Sequence, residues 1–133
     1  MELEIDHIGI AVRNVEDMVQ TYCKVLGIKP EDIERETVEE HRVKTALIPL
    51  GQSRIELLEP IDSKGAIAKF IDQRGEGIHH LAIGVRDIKA VLGALKEKSV
   101  PLIDAEPRIG VGGTKVAFMH PKATKALLEI VEK

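Results

Sequence analysis

The sequence predicts an α+β fold: two tandem βαβββ modules forming one curved, mostly antiparallel sheet around a metal-binding cavity. Three observations lead there. The stretch "IDHIGIAV" at residues 5–12 returns as "IHHLAIGV" at 78–85. The two histidines, His7 and His80, are 73 residues apart (80 − 7), and the same offset relates Arg13 to Arg86 and Asn14 to Asp87. It also relates Glu56 to Glu129, each inside an apolar, strand-like run. Repetition at one offset marks an internal duplication. Two units are too few for a capped solenoid, so two half-sheets that complete one another are expected.

Each module opens with a strand. Alternate residues of a strand share a face. Ile8, Ile10 and Val12 therefore share one face of the first strand, and Leu81, Ile83 and Val85 the matching face of its repeat. These apolar residues are expected to pack under the helices. The other faces carry His7, Gly9 and Ala11, and His80, Ala82 and Gly84. Small residues in a strand mark a place where something comes close. A histidine above a floor of Gly and Ala predicts a cavity.

A helix follows each strand. Asn14 and Asp87 stand where an N-cap belongs. Val15, Met18, Val19 and Tyr22 recur at i, i+3, i+4 and i+7, and so do Ile88, Val91, Leu92 and Leu95. Gly27 supplies a left-handed helix end. Strand signals come next: "GIKPEDIERETV", "HRVKTALIPL" and "SRIELLEP" in the first half, "VPLIDAEPR", "GTKVAFMHP" and "KALLEIVEK" in the second. "LGQS" at 50–53 reads as a hairpin turn, and "GVGG" at 110–113 as the matching break. The expected organisation is a single domain, with module one at about 1–62, a linker helix at about 63–75 and module two at about 76–133.

The duplication yields two His–Glu pairs, His7 with Glu56 and His80 with Glu129. A carboxylate inside an apolar strand is costly to bury without a partner, and a metal ion is one such partner. Two histidines and two glutamates suit a divalent first-row metal such as Co, Zn, Ni, Mn or Fe. A strand histidine is often a hydrogen-bonded core residue, and a strand glutamate often faces water; Glu59 and Glu132, near strand ends, are read that way. Four such residues at one offset favour the metal. His79 lies on the face opposite His80, His41 falls in a charged loop, and His120 has no counterpart in the repeat.

Bulk composition narrows the function classes. The 133 residues carry a net charge of −3, and aromatics make up 2%. That is neither the basic footprint nor the stacking surface of a nucleic-acid binder. No apolar run approaches the roughly 18 residues of a membrane span. The opening "MELEID" is acidic and strand-like, unlike a signal peptide. Cys23 is the sole cysteine, sits at a helical position, and reads as a packed thiol. A cytoplasmic protein is expected.

The stretches "DHIGIAV", "LGQSRIELLEP", "IAKFIDQRGEGIHHLAIGV" and "EPRIGVGGTKVAFMHPK" resemble the vicinal oxygen chelate superfamily. That superfamily includes glyoxalase I, extradiol dioxygenases and bleomycin- or fosfomycin-resistance proteins. Within it the chain is similar, along essentially its whole length, to the methylmalonyl-CoA epimerase family. The resemblance implies metal ligation by His7, His80 and Glu129, with Glu56 where family members have Gln or Glu. Co2+ is the first candidate, with Zn2+, Ni2+, Mn2+ or Mg2+ as alternatives. It implies an acyl-CoA substrate, a homodimer, and C2 proton abstraction through a metal-stabilised enolate. Two carboxylates would then work on opposite faces of C2. Glu129 is one candidate, and Glu40 in "EEHRV" is the other, matching a family "P-E-(Q/H)-G-V" stretch. Arg42 stands where that stretch has glycine, and "HPKATKALLE" is one residue shorter than the family pattern. A glyoxalase I-like lyase and a non-catalytic resistance-type binder of the same fold are the alternatives.

Overall fold

The computed structural model describes residues 3–133. Among the described residues, eight strands and three of the four α-helices follow the predicted order, and α4 is additional: β1 (Glu4–Ala11), α1 (Val15–Leu26), β2 (Glu34–Val38), β3 (Val43–Leu50), β4 (Ser53–Pro60), α2 (Ala66–Arg74), β5 (Gly77–Val85), α3 (Ile88–Glu97), β6 (Arg108–Ile109), β7 (Lys115–Met119), α4 (Pro121–Thr124) and β8 (Leu128–Glu132). Strand pairing runs β2-β3-β4-β1-β5-β8-β7-β6. The sheet is mixed: β1 with β4 and β5 with β8 are parallel, while β2 with β3, β3 with β4, β6 with β7, and β7 with β8 are antiparallel. No helix among the described residues is long and apolar enough to cross a membrane.

The backbone contacts divide into two compact units. One holds Ile8–His79, and the other joins the segment ending at His7 to His80–Lys133. In the first, Val12, Val15, Val19, Ile33, Ala46, Ile48 and Leu57 form the core, with Ile10, Met18 and Tyr22 packed against it. In the second, Val85, Ile88, Leu92, Ala117, Met119 and Ile130 do so, with Val91 and Leu95 beside them. The predicted helix faces are therefore the buried ones. Ile8, Ile10, Leu81 and Ile83 are half-buried; of the predicted apolar strand faces, Ile10, Val12 and Val85 join the helix-packed cores.

The duplication extends to hydrogen-bond register. Ile8 pairs with Ile55 and Gly9 with Glu56; Leu81 pairs with Leu128 and Ala82 with Glu129. Every partner in the second set is a partner in the first plus 73. Directly opposite residues on paired strands point to the same face. The small residue at each of these positions, Gly9 or Ala82, thus leaves room beside a glutamate.

The helix starts repeat as well. The Asn14 side chain accepts a hydrogen bond from the Asp17 N–H at 2.9 Å, and the Asp87 side chain accepts one from Ala90 at 3.1 Å. Glu59 and Glu132 are not the solvent-facing residues expected from the sequence. The Glu59 carboxylate accepts from the Val15 N–H at 2.8 Å, and the Glu132 carboxylate from the Ile88 N–H at 3.2 Å. Each satisfies an orphan donor in a first helical turn and places negative charge at the positive end of the helix.

Two sequence expectations change in the structure. "VPLIDAEPR" is mostly irregular, reduced to a single bridge between Leu102 and Met119 and the two-residue β6. Pro101 and Pro107 cannot donate to a ladder. Residues 39–41 form a 3-10 turn that ends at Arg42, with φ 57° and ψ 43°. This is the left-handed region in which glycine is the usual residue. Arg42 holds it with an ion pair to Asp62 and a carbonyl that accepts from the Ile61 N–H at 2.9 Å. The local geometry that a glycine would supply is thus kept without one.

Candidate metal centre

The His7, His80 and Glu129 side chains come together from β1, β5 and β8. His7 Nε2 lies 3.0 Å from His80 Nε2. Glu129 Oε1 lies 3.1 Å from each of these nitrogens. The three atoms form a nearly equilateral triangle. The imidazoles are edge to face, with centroids 5.1 Å apart and planes at 88°. All three residues are buried, at 5%, 5% and 6% exposure.

Burial pushes the Glu129 carboxyl up, but hydrogen bonds and charge from His7 and His80 outweigh this and bring it down to about 2. The group is therefore ionised at neutral pH, as a metal ligand must be. Its folded value lies below the ordinary 4.5. Its contribution to stability is thus complete above about pH 4.5 and fades as pH falls towards about 2, amounting to about 3 kcal/mol. With a chelator present, wild-type protein should lose about that much more urea-unfolding stability than Glu129→Gln between about pH 5 and about pH 2. Parallel acid profiles of the two proteins would show that the histidines do not hold this carboxylate ionised.

The triangle fits a divalent ion. First-row metals bind imidazole nitrogen and carboxylate oxygen at about 2.0–2.2 Å. Ligand atoms about 2.1 Å from a common centre and at right angles to one another lie about 3.0 Å apart, whereas tetrahedral angles give about 3.4 Å. The observed spacings match one face of an octahedron. The donor set, two imidazoles and a carboxylate, matches Co, Ni, Zn, Mn or Fe better than the all-oxygen sites of calcium.

Glu56 is buried at 3% exposure. It lies on β4, opposite Gly9, which shares a strand face with His7 by its two-residue spacing. Glu40 is exposed, in the middle of the 3-10 turn Glu39–His41. His79 packs edge to face on Phe70, at 5.0 Å. His120 accepts from the Lys122 N–H at 3.1 Å and so caps its own short helix. Cys23 is half-buried and packs against the core of its unit.

Sequence reasoning missed several neighbours of the triangle. Phe118 pairs with Glu129 across β7 and β8 and stands edge to face with His80 at 5.8 Å. The Arg108 guanidinium lies over the Phe118 ring at 5.3 Å. Asp104 pairs with Arg108 at 3.3 Å and accepts from the Phe118 N–H at 2.9 Å. Asp6 is buried at 5% exposure, with its carboxylate 2.6 Å from His7 Nδ1. The available signal was an aspartate directly before a proposed ligand. It was hidden because the duplication puts His79 at the matching position.

The profile of the Glyoxalase/Bleomycin resistance protein/Dioxygenase superfamily matches residues 6–118. A hypothetical protein from Bacillus halodurans has a solved structure that superposes with a TM-score of 0.95 at 42% identity, covering 100% of this chain and 96% of that one. A methylmalonyl-CoA epimerase solved in complex with methylmalonyl-CoA and ammonium gives a TM-score of 0.89 at 32% identity, covering 100% and 96%. The mitochondrial methylmalonyl-CoA epimerase of Dictyostelium discoideum is 33% identical over 98% of this chain and 78% of its own length.

Proposed function

This chain belongs to the glyoxalase/bleomycin resistance protein/dioxygenase superfamily, and we propose that it is a divalent-metal-dependent methylmalonyl-CoA epimerase. The observation that carries the reading is the buried His7, His80 and Glu129 triangle, in a chain whose named relatives are epimerases. Glu56 is the fourth ligand in this proposal. Its motives are its burial, its register against Gly9 and its equivalence to Glu129 at the offset of 73. When bound, a divalent ion (Co2+ first) supplies Lewis acidity for the negative charge that develops on the thioester oxygen.

The proton chemistry falls to carboxylates. The C2–H bond of methylmalonyl-CoA breaks, its proton goes to one carboxylate, and the electron pair enters the enolate. A carboxylic acid on the opposite face then returns a proton to C2, which inverts the centre. Glu129 and Glu40 are the proposed pair. Glu129 is in the basic form at neutral pH. Glu40 is exposed on a turn whose closing residue, Arg42, is tied to Asp62. After one turnover the two carboxyl groups have exchanged protonation states, and the reverse reaction or exchange with water resets them.

The test is incubation of methylmalonyl-CoA in D2O with and without the protein. Deuterium should enter C2, and the two epimers should equilibrate, well above the protein-free rate. A glyoxalase-type enzyme would instead convert a glutathione hemithioacetal, and a binding protein would do neither. No protein-dependent deuterium at C2 would end the epimerase reading.

A further inference from the structure

The chain of polar contacts behind His7 is not explained by metal ligation alone. His7 Nδ1 is 2.6 Å from Asp6 Oδ2. The other Asp6 oxygen accepts from Lys133 Nζ at 3.0 Å, and Lys133 pairs with Glu4 at 2.9 Å. Asp6 and Lys133 are 127 residues apart in sequence. Lys133 reaches Asp6 by crossing Gly84. A Cβ at Gly84 would meet Lys133 Cγ at 2.8 Å and Cδ at 2.9 Å, so any larger residue there would displace the lysine stem. Gly84 thus gives space to Lys133, where the sequence suggested the floor of a cavity.

We infer that Asp6, held by Lys133, is a positioning residue that keeps a proton of His7 on Nδ1 and turns its Nε2, the atom that would ligate a metal, toward His80 and Glu129. The inference rests on the metal-binding reading proposed above. An ionised carboxylate only accepts hydrogen bonds, so a ring nitrogen 2.6 Å away must donate. The proton on Nδ1 leaves Nε2 as the ligating atom, and Nε2 is the atom in the triangle. Carboxylates behind ligating histidines fix ring orientation and raise ligand basicity, with losses of 10–100-fold in metal affinity on their removal. The second module carries His79 at the position of Asp6, so the duplication does not copy this device. The competing account is an ion pair that only ties the ends of β1 and β8 together. That account predicts a change in stability alone.

Two readouts separate these accounts: long-range 1H–15N spectra of the histidine rings in chelator-treated protein, and Co2+ affinity by competition with a chelator of known strength. Wild-type His7 should show the Nδ1–H form. Asp6→Asn should shift the His7 ring toward Nε2–H and weaken Co2+ binding by about 10–100-fold. Lys133→Met leaves the Asp6 acceptor in place but unanchored, and should weaken Co2+ binding several-fold. It keeps the test open if Asp6→Asn does not fold, because the Lys133 side chain is 38% exposed; unchanged Co2+ affinity in it then overturns the inference. Asp6→Asn with wild-type affinity and a wild-type His7 spectrum overturns this inference alone. Wild-type protein that takes up no Co2+ overturns the metal reading, and this inference with it.

Discussion

Removal of metal with EDTA will abolish protein-dependent epimerisation, and Co2+ added back will restore it. The thioester α-proton is lost only as fast as negative charge on the carbonyl oxygen is stabilised. A Lewis acid supplies several kcal/mol of that stabilisation. Each 1.36 kcal/mol is tenfold in rate, so the loss should be about 10³-fold or more. The protein side of the prediction is the triangle of 3.0 and 3.1 Å separations among His7, His80 and Glu129. Without a cation, these buried groups hydrogen-bond one another and present no Lewis acid to a substrate oxygen. Elemental analysis must accompany the assay. Full activity in protein shown to be metal-free would refute the reading. His7→Ala or His80→Ala should lower metal uptake strongly, because each removes one corner of the triangle.

Glu40→Gln should keep the fold and the metal while epimerisation falls by about 10²–10⁴, the usual worth of a positioned acid or base. Gln is nearly isosteric, and Glu40 is exposed on its turn, so stability should move by no more than about 0.5 kcal/mol. The turn itself is set by Arg42, whose N–H donates to the Glu39 carbonyl at 3.1 Å and whose guanidinium pairs with Asp62. Neither contact involves the Glu40 side chain. A protein with one working carboxylate can still exchange the C2 proton of one epimer with solvent while failing to invert it. C2 deuterium and epimer ratio should therefore be followed together. Wild-type rates of both would make Glu40 a surface residue and send the search for a second base elsewhere.

Much of the secondary structure was legible because its signals are local. The N-caps Asn14 and Asp87, the helix faces they open, and the Gly51–Gln52 hairpin turn are encoded within a few residues. The offset of 73 added long-range information that one strand alone does not hold. It pointed to His7, Glu56, His80 and Glu129; the structure brings the ligand atoms of His7, His80 and Glu129 within 3.1 Å of one another and buries Glu56 on β4. Locality also explains the misses. "VPLIDAEPR" has the apolar content of a strand, but Ile103 is half exposed and its N–H donates to the Phe118 carbonyl at 3.0 Å outside any ladder. Arg42 looked like a break in a loop pattern. It adopts the left-handed turn because Asp62, 20 residues away, holds its side chain.

By itself the sequence determined most of the order of elements, the duplication and the candidate ligands, since periodicity, caps and repetition are properties of the chain read along its length. Tertiary structure alone decided what the remaining carboxylates do. Glu59 and Glu132 read as strand-end surface residues, yet each accepts from a helix N–H 44 positions earlier. Asp6 read as part of an acidic N-terminal strand, yet its carboxylate lies 2.6 Å from His7 Nδ1 and accepts from Lys133 Nζ at 3.0 Å. A carboxylate has no preferred partner until the backbone brings a donor within about 3 Å of it. That approach depends on how strands pair and on where a glycine leaves room, as Gly84 does for the Lys133 stem.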